Sequence, residues 1–458
     1  MRKITISEMV SVLLGVFIII VGLRFISIPE SYNQSMTLFL SLIKYTTITL
    51  GIVVLLFGVI SLCFSRSLFK QPTIRKFLQN IAILVITTFF CAVFFEIILQ
   101  VTFPESCKQD DAVYEHSYTP NCHSRFTTFE WDTDVKINAE GFRDDEIAPK
   151  EQFDLRILML GDSMTWGYGV EKEETFSEVL QQKLKIKGVK ADVINAGATS
   201  YSPTLEYLLL KNKGLSYRPD IVILNLDMSD IQDDYNYNQE RDAEFDQDGN
   251  VIRVSGINKE QTTLLYKIRN KMQINRFIFD KLNLIDSRFF NKEGQNNSIL
   301  LGDPRTDRYA ILRDMPVQNE TEHWNRTFRY ISQVNELSKK NNITFVLTLY
   351  PYAVQVSPDE WASGRHMFGF NSGVVYSDAP QRKVQKYAER NHLHYVEMLD
   401  SFKESSAFPL YFAYDGHINR EGHKLAAEVL FSSLVEEEII KLPVRKVEYP
   451  TNPFQELN

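Results

Sequence analysis

The sequence predicts an α/β fold: a doubly wound, three-layer α/β/α sheet of about five parallel strands, preceded by three apolar segments long enough to span a membrane. Three observations predict it. Beyond residue 155, short apolar runs alternate with stretches of helical spacing, the rhythm of a parallel sheet with crossover helices. The first run, Ile157 to Leu160, is flanked by charge and ends at Gly161, as a buried strand feeding a tight turn does. The first hundred residues, by contrast, are dominated by apolar stretches.

Those stretches come first in the chain. Met9 to Pro29 is apolar except for Arg24, Tyr45 to Ser65 carries no charge, and Ile81 to Phe103 is interrupted only by Glu96. Each would cross the roughly 30 Å of a bilayer's hydrocarbon core as a helix. A cleavable signal peptide is the alternative for the first segment, but no small-residue cleavage site follows it and two further spans do. Arg24 and Glu96 are expected to snorkel to the interface. Arg2 and Lys3 precede the first span, and Arg66, Lys70, Arg75 and Lys76 crowd the loop between the second and third. The positive-inside rule then places the N-terminus in the cytoplasm. Three spans deliver everything after Phe103 to the periplasmic or extracellular side of the cytoplasmic membrane.

Four parts follow: a membrane anchor over 1–103, an irregular lead-in over 104–154, an α/β domain over 155–441 with an insertion at about 235–320, and a tail over 442–458. With a net charge of −8, the chain has no basic field for nucleic acid. No Gly-rich phosphate loop and no zinc-type Cys/His cluster occurs, so neither a cofactor nor a metal is expected. Cys107 and Cys122 open the exported part. An oxidising compartment would let them pair, a loop closure worth about 3 kcal/mol in the chain-entropy model; two free thiols are the alternative. In the lead-in, Gly141 is expected in a positive-φ turn. Arg143 reads as a solvated charge, with anchoring against the α/β domain as the alternative.

Strand-like runs begin at Arg156, Ala191, Asp220, Ile343 and Leu393, with amphipathic stretches at 172–188, 203–215, 321–340, 378–391 and 420–441 between and after them. Reactive groups in such folds gather beyond the carboxyl ends of the strands, so the residues there carry the chemistry. After the first strand comes Gly161-Asp162-Ser163-Met164-Thr165-Trp166-Gly167, and after the second Asn195-Ala196-Gly197-Ala198. The third is followed by Asp227-Met228-Ser229-Asp230, and near the end stands Asp415-Gly416-His417. Of eight histidines, only His417 combines a nearby acid, a flanking glycine and a following helix start. His423, six positions on, reads as a packing or capping residue.

These blocks, in this order and with these spacings, resemble those of the SGNH (GDSL-type) hydrolase superfamily, over about residues 155 to 435. Gly161 to Gly167 fits its GDSxTxG pattern throughout. The resemblance implies a flavodoxin-like sheet and a serine enzyme: Ser163 as nucleophile, His417 as its base and Asp415 orienting the imidazole, with Asp162, Thr165 and Asp230 as near-site support. The Ser163 N–H, the Gly197 N–H and, third, Ser229 would face the oxyanion. Two departures stand out. Serine occupies position 229 where the pattern GxND has asparagine, and Asp415 precedes His417 by two residues where the family commonly spaces them by three.

The expected function is a membrane-anchored extracytoplasmic esterase acting on an acylated carbohydrate or lipid of the envelope. Two alternatives stay open. One is an O-acyltransferase modifying an envelope polysaccharide, which would need an acyl-donating membrane partner. The other, motivated by Ser229, is a non-catalytic scaffold on a degenerate fold. The insertion is expected either as a substrate-binding cap or as a peripheral, membrane-surface decoration. The loop Tyr352 to Asp378, with Trp361, Arg365, His366 and Phe368, suits either sugar stacking or ordinary loop packing.

Overall fold

The computed structural model describes residues 107–128, 130–239, 242–256, 309–313 and 320–443, with five isolated positions before them. The chain divides into two units, and the elements that follow belong to the one formed by Ser106–Lys259 and Asn291–Asn458. Among the described residues no helix is long and apolar enough to cross a membrane. The three expected spans, most of the insertion and most of the tail lie outside the described residues.

Nine α-helices and eleven strands are described. Four short strands come first: β1 (Lys108–Asp110), β2 (His116–Tyr118), β3 (His123–Thr127) and β4 (Asp132–Lys136). The domain's sheet uses β5 (Leu155–Gly161), β6 (Ala191–Asn195), β7 (Ile221–Leu226), β10 (Thr344–Leu349) and β11 (His394–Glu397). Its order is β11-β10-β7-β5-β6, every pairing parallel. That is the flavodoxin-type order, whose switch point falls where β5 meets β7. β5 sits second from one edge with Ile157, Leu158, Met159 and Leu160 all at 0% exposure. A strand covered on both faces reads as a continuous apolar run, as these four residues do.

The helices are α1 (Ser163–Trp166), α2 (Phe176–Ile186), α3 (Pro203–Asn212), α4 (Asp230–Gln239), α5 (Glu320–Lys340), α6 (Ala353–Val356), α7 (Ala379–Arg390), α8 (Leu399–Lys403) and α9 (Arg420–Glu436). α2 packs with α9, and α3 with α4 and α5. His423 on α9 is fully buried and its Nδ1 accepts the Phe176 N–H at 3.2 Å, so it both packs and caps α2. The strands β8 (Asp242–Phe245) and β9 (Val251–Ser255) form an antiparallel hairpin around Asp248-Gly249.

The lead-in departs from expectation. In place of irregular chain it holds two antiparallel pairs, β1 with β2 and β3 with β4. Each strand is three to five residues long, too short and too polar for its period-2 pattern to stand out. Cys107 and Cys122 are joined in a disulfide, with Cα atoms 5.7 Å apart. Gly141 takes φ 82°.

Arg143 is not a solvated charge. It is 1% exposed, lies over the Trp166 ring at 4.6 Å, and donates to the carbonyls of Gly167 (2.5 Å), Val170 (2.6 Å) and Trp166 (3.3 Å). Burial pushes its pKa down to about 10, which still leaves it charged at neutral pH. Those carbonyls belong to the last residue of α1 and the turn after it, so one side chain of the lead-in holds the chain leaving the Ser163 block. Arg143→Met would leave three buried acceptors without that donor. We expect a loss of about 3 kcal/mol, measured by urea denaturation of the α/β domain with its lead-in; a loss below about 0.5 kcal/mol, the range of ordinary surface substitutions, would contradict the anchoring role.

Candidate active site

The site begins with the turn that ends β5. Gly161 cannot carry a side chain, because a Cβ there would lie 2.0 Å from Thr165 Oγ1. Thr165, fully buried under this turn, is thus the packing partner that lets the strand pass directly into α1. Asp162 caps α1, its Oδ1 accepting the Met164 N–H at 2.8 Å. Ser163 is the first residue of α1, where backbone N–H groups have no intrahelical acceptor.

The second half arrives from 254 residues further along. His417 Nε2 lies 2.8 Å from Ser163 Oγ, and His417 Nδ1 is hydrogen-bonded to Asp415 Oδ1. The separation of two residues therefore still makes the acid–imidazole pair. Gly416 between them has φ 87°, a left-handed conformation that brings the Asp415 carboxylate back to the imidazole. A Cβ on it would meet Trp361 at 2.5 Å. Trp361 Nε1 in turn donates to the Tyr414 carbonyl at 2.8 Å, and Arg365, buried, donates to the Pro358 carbonyl at 2.6 Å. Of the two readings of this loop, Trp361 and Arg365 follow loop packing: Trp361 braces the histidine turn, and Arg365 ties the loop to itself.

Residues 159–425 match the model of the GDSL-like lipase/acylhydrolase family. The chain belongs to that family. Similar solved structures include the esterase EstA from a Pseudoalteromonas species, at 14% identity and TM-score 0.31 over 63% of this chain and 100% of its own. A catalytic mutant of Axe2, an acetylxylan esterase from Geobacillus stearothermophilus, aligns at 12% identity and TM-score 0.33 over 62% and 94%. A GDSL-like lipase from Bacteroides thetaiotaomicron aligns at 13% identity and TM-score 0.28 over 64% and 92%. Among curated proteins nothing matches.

In this GDSL-family chain the imidazole is poised by opposing effects. Burial pushes the His417 pKa down, and the hydrogen bond and charge of Asp415, joined by the charges of Asp162 and Asp227, more than offset it, so the net shift is upward from 6.5. The ring keeps 24% of its side-chain surface exposed, which weakens the burial penalty further. Tyr168 stacks on it, centroids 4.6 Å apart.

Beneath Ser163 lie three buried acids, Asp162, Asp227 and Asp230, whose carboxyl oxygens fall within 4.8 Å of one another. A divalent cation could accept that spacing, but backbone and hydroxyl donors already engage each acid. Asp227 Oδ1 accepts the Ser229 N–H (2.6 Å) and the Tyr352 hydroxyl (2.7 Å), and Asp230 Oδ2 accepts the Asp227 N–H (2.8 Å). Asp162 and Asp230 thus shape the turns on either side of the site. Burial, then the charge of Asp227, pushes Asp162 up to about 8. Burial, then Glu206, pushes Asp230 up as well.

The three expected oxyanion donors are not equally placed. The Gly197 N–H donates to Asn195 Oδ1 at 3.1 Å, because that side chain folds back while its amide donates to the Thr165 carbonyl at 2.8 Å. Gly197 is thus held as a packing position, and a Cβ on it would come within 2.5 Å of the Trp166 nitrogen. Ser229 is 8% exposed, its N–H engaged by Asp227 and its hydroxyl without a hydrogen bond among the described residues.

Glu130 escaped the sequence reading. Its two carboxylate oxygens accept the N–H groups of Tyr414 and Asp415, both at 2.9 Å, so the lead-in grips the loop that presents His417. Beside it, Trp131 packs on Phe412 at 4.7 Å and on Tyr168 at 5.6 Å. A Glu-Trp pair in polar sequence carries no motif, and nothing in the sequence points to it.

The upward shift of His417 sets a pH dependence. A general base must be neutral, so kcat/KM for ester hydrolysis should rise with pH through a midpoint above 6.5. Asp415→Asn removes the largest of the influences that raise the pKa. It should lower kcat/KM by about 10³-fold or more and move the midpoint down. A wild-type midpoint at or below 6.5, or an unmoved midpoint in the variant, would contradict this arrangement.

Proposed function

We propose that the chain is a membrane-anchored serine esterase that removes a short acyl group, O-acetyl in the first instance, from an envelope glycan or lipid outside the cytoplasmic membrane. The observation that carries the chemistry is the continuous hydrogen-bonded line from Asp415 through His417 to Ser163. Ser163 Oγ attacks the ester carbonyl while His417 Nε2 takes its proton. Asp415 stabilises the imidazolium that forms. The tetrahedral oxyanion is met by the Ser163 N–H and the Ser229 hydroxyl. Collapse expels the alcohol, which leaves with the proton from His417. Water then attacks the acyl-enzyme, its proton passes to His417, and the acid departs as Ser163 recovers its hydrogen.

Placement rests on separate grounds. The three apolar stretches and the basic residues flanking them support an anchor with the α/β domain outside, and a disulfide at the start of that domain suits an oxidising compartment. Membership of the GDSL-like lipase/acylhydrolase family supports ester chemistry.

The test uses wild type, Ser163→Ala and Ser229→Ala with p-nitrophenyl acetate, with and without oligosaccharide acceptors. Wild type should release free acetate, and Ser163→Ala should release none above background. Ser229→Ala should lose about 10²-fold in kcat with KM little changed, the usual effect of removing one oxyanion donor. Hydrolysis unaffected by Ser163→Ala would overturn the esterase reading, and acetyl appearing on the oligosaccharide would turn it into acyl transfer. An unchanged kcat in Ser229→Ala would remove Ser229 from the oxyanion site.

A further inference from the structure

None of the residues around one groove belongs to the site above. It opens between α5 and α7 and encloses about 630 Å³, within the range of roughly 300–1,000 Å³ usual for ligand sites. Its floor is aromatic and rigid. Phe328 and Tyr387 stack with centroids 4.0 Å apart and planes 2° apart, and the Tyr387 hydroxyl is fixed by Ser332 Oγ (2.6 Å) and the Phe328 carbonyl (2.9 Å). Both rings remain partly exposed.

The groove's charge is one-sided. Lys383, Lys386 and Arg390 line it from α7 and Arg329 from α5, and no carboxylate is among the lining residues. Lys383 is paired with Glu320 at 2.8 Å and lies over the Trp324 ring at 4.7 Å. Arg329 donates to the Gly249 carbonyl at 2.6 Å and Asn250 Oδ1 at 3.2 Å; both acceptors are neutral, so its charge stands. Lys386 and Arg390 are exposed and have no ion pair among the described residues. The spacing 383, 386, 390 puts three basic residues on one stripe of a helix, and of these Lys386 and Arg390 have no ion pair among the described residues. Like charges at that spacing destabilise a helix on their own. In a chain of net charge −8, this stripe is a local reversal that an external anion would relieve.

We propose that the groove binds a polyanionic glycan strand, its carboxylate or phosphate groups against Lys386, Arg390 and Arg329 and its sugar rings along Phe328 and Tyr387. Apolar ring surface flanked by cations favours a charged sugar polymer over a small inorganic anion, which needs no aromatic floor. The inference deepens the glycan-esterase reading by naming the substrate class, but the binding itself does not require Ser163.

The full chain in detergent is titrated with a fluorescent oligogalacturonate, a glycerol-phosphate oligomer and a neutral xylo-oligosaccharide, and separately with phosphatidylglycerol vesicles. Ser163→Ala and the double variant K386E/R390E are run beside wild type, with thermal melts to establish that the variants fold. We expect saturable, salt-sensitive binding of at least one anionic oligomer, none of the neutral one, and weakening of at least about tenfold in K386E/R390E. Which anionic oligomer binds separates carboxylate from phosphate as the recognised group. Ser163→Ala should bind as wild type does, so loss of hydrolysis and loss of binding remain distinct results. Failure of both anionic oligomers to bind, equal affinity in K386E/R390E, or a response to vesicles alone would overturn the proposal.

Discussion

The hydrogen bond from His417 Nε2 to Ser163 Oγ joins two turns 254 residues apart in the chain, and the described structure is arranged around keeping them in register. A serine hydroxyl gains nucleophilicity only when its base lies within hydrogen-bond reach and in the right tautomer. Reach is set by backbone placement, so each partner must be held by something stiffer than its own loop. For Ser163 that support is β5, buried on both faces, and the absence of a Cβ at Gly161 that lets Thr165 close beneath it. For His417 it is the left-handed Gly416 seated on Trp361 and the backbone bonds of the turn to Glu130.

The segment between disulfide and sheet therefore acts on both halves at once. Arg143 holds the exit from the serine block through three carbonyls, and Glu130 holds the approach to the histidine through two N–H groups. Trp131 fills the space between, against Phe412 and Tyr168, and Tyr168 covers the imidazole. A lead-in with its own small antiparallel pairs gives these side chains fixed starting points. The Cys107–Cys122 bond closes the loop that carries the first two strands of that lead-in.

What was legible in the sequence follows from period and composition. β5 could be read because a strand buried on both faces needs an unbroken apolar run, and α5 because its apolar positions recur at helical spacing over 21 residues. Ser163, Asp415 and His417 could be singled out because the glycine-bearing blocks around them resemble the GDSL-type pattern in order and spacing. β1 to β4 could not, since three to five residues leave no period to detect. Nor could the burial of Arg143 be read, because it depends on carbonyls 23 to 27 residues away that happen to face it. Gly197 shows the opposite limit: the glycine was recognised, but the turn of the Asn195 amide that claims its N–H is a tertiary outcome.

The most direct measurement is to treat the full chain in detergent with a fluorophosphonate probe and locate the adduct by peptide mass spectrometry. An activated serine attacks such a phosphorus centre, whereas an ordinary hydroxyl does not. Stoichiometric modification of Ser163 alone is expected, slowed at acid pH as His417 takes up a proton. No adduct at Ser163, or one formed equally well after His417→Ala, would contradict it.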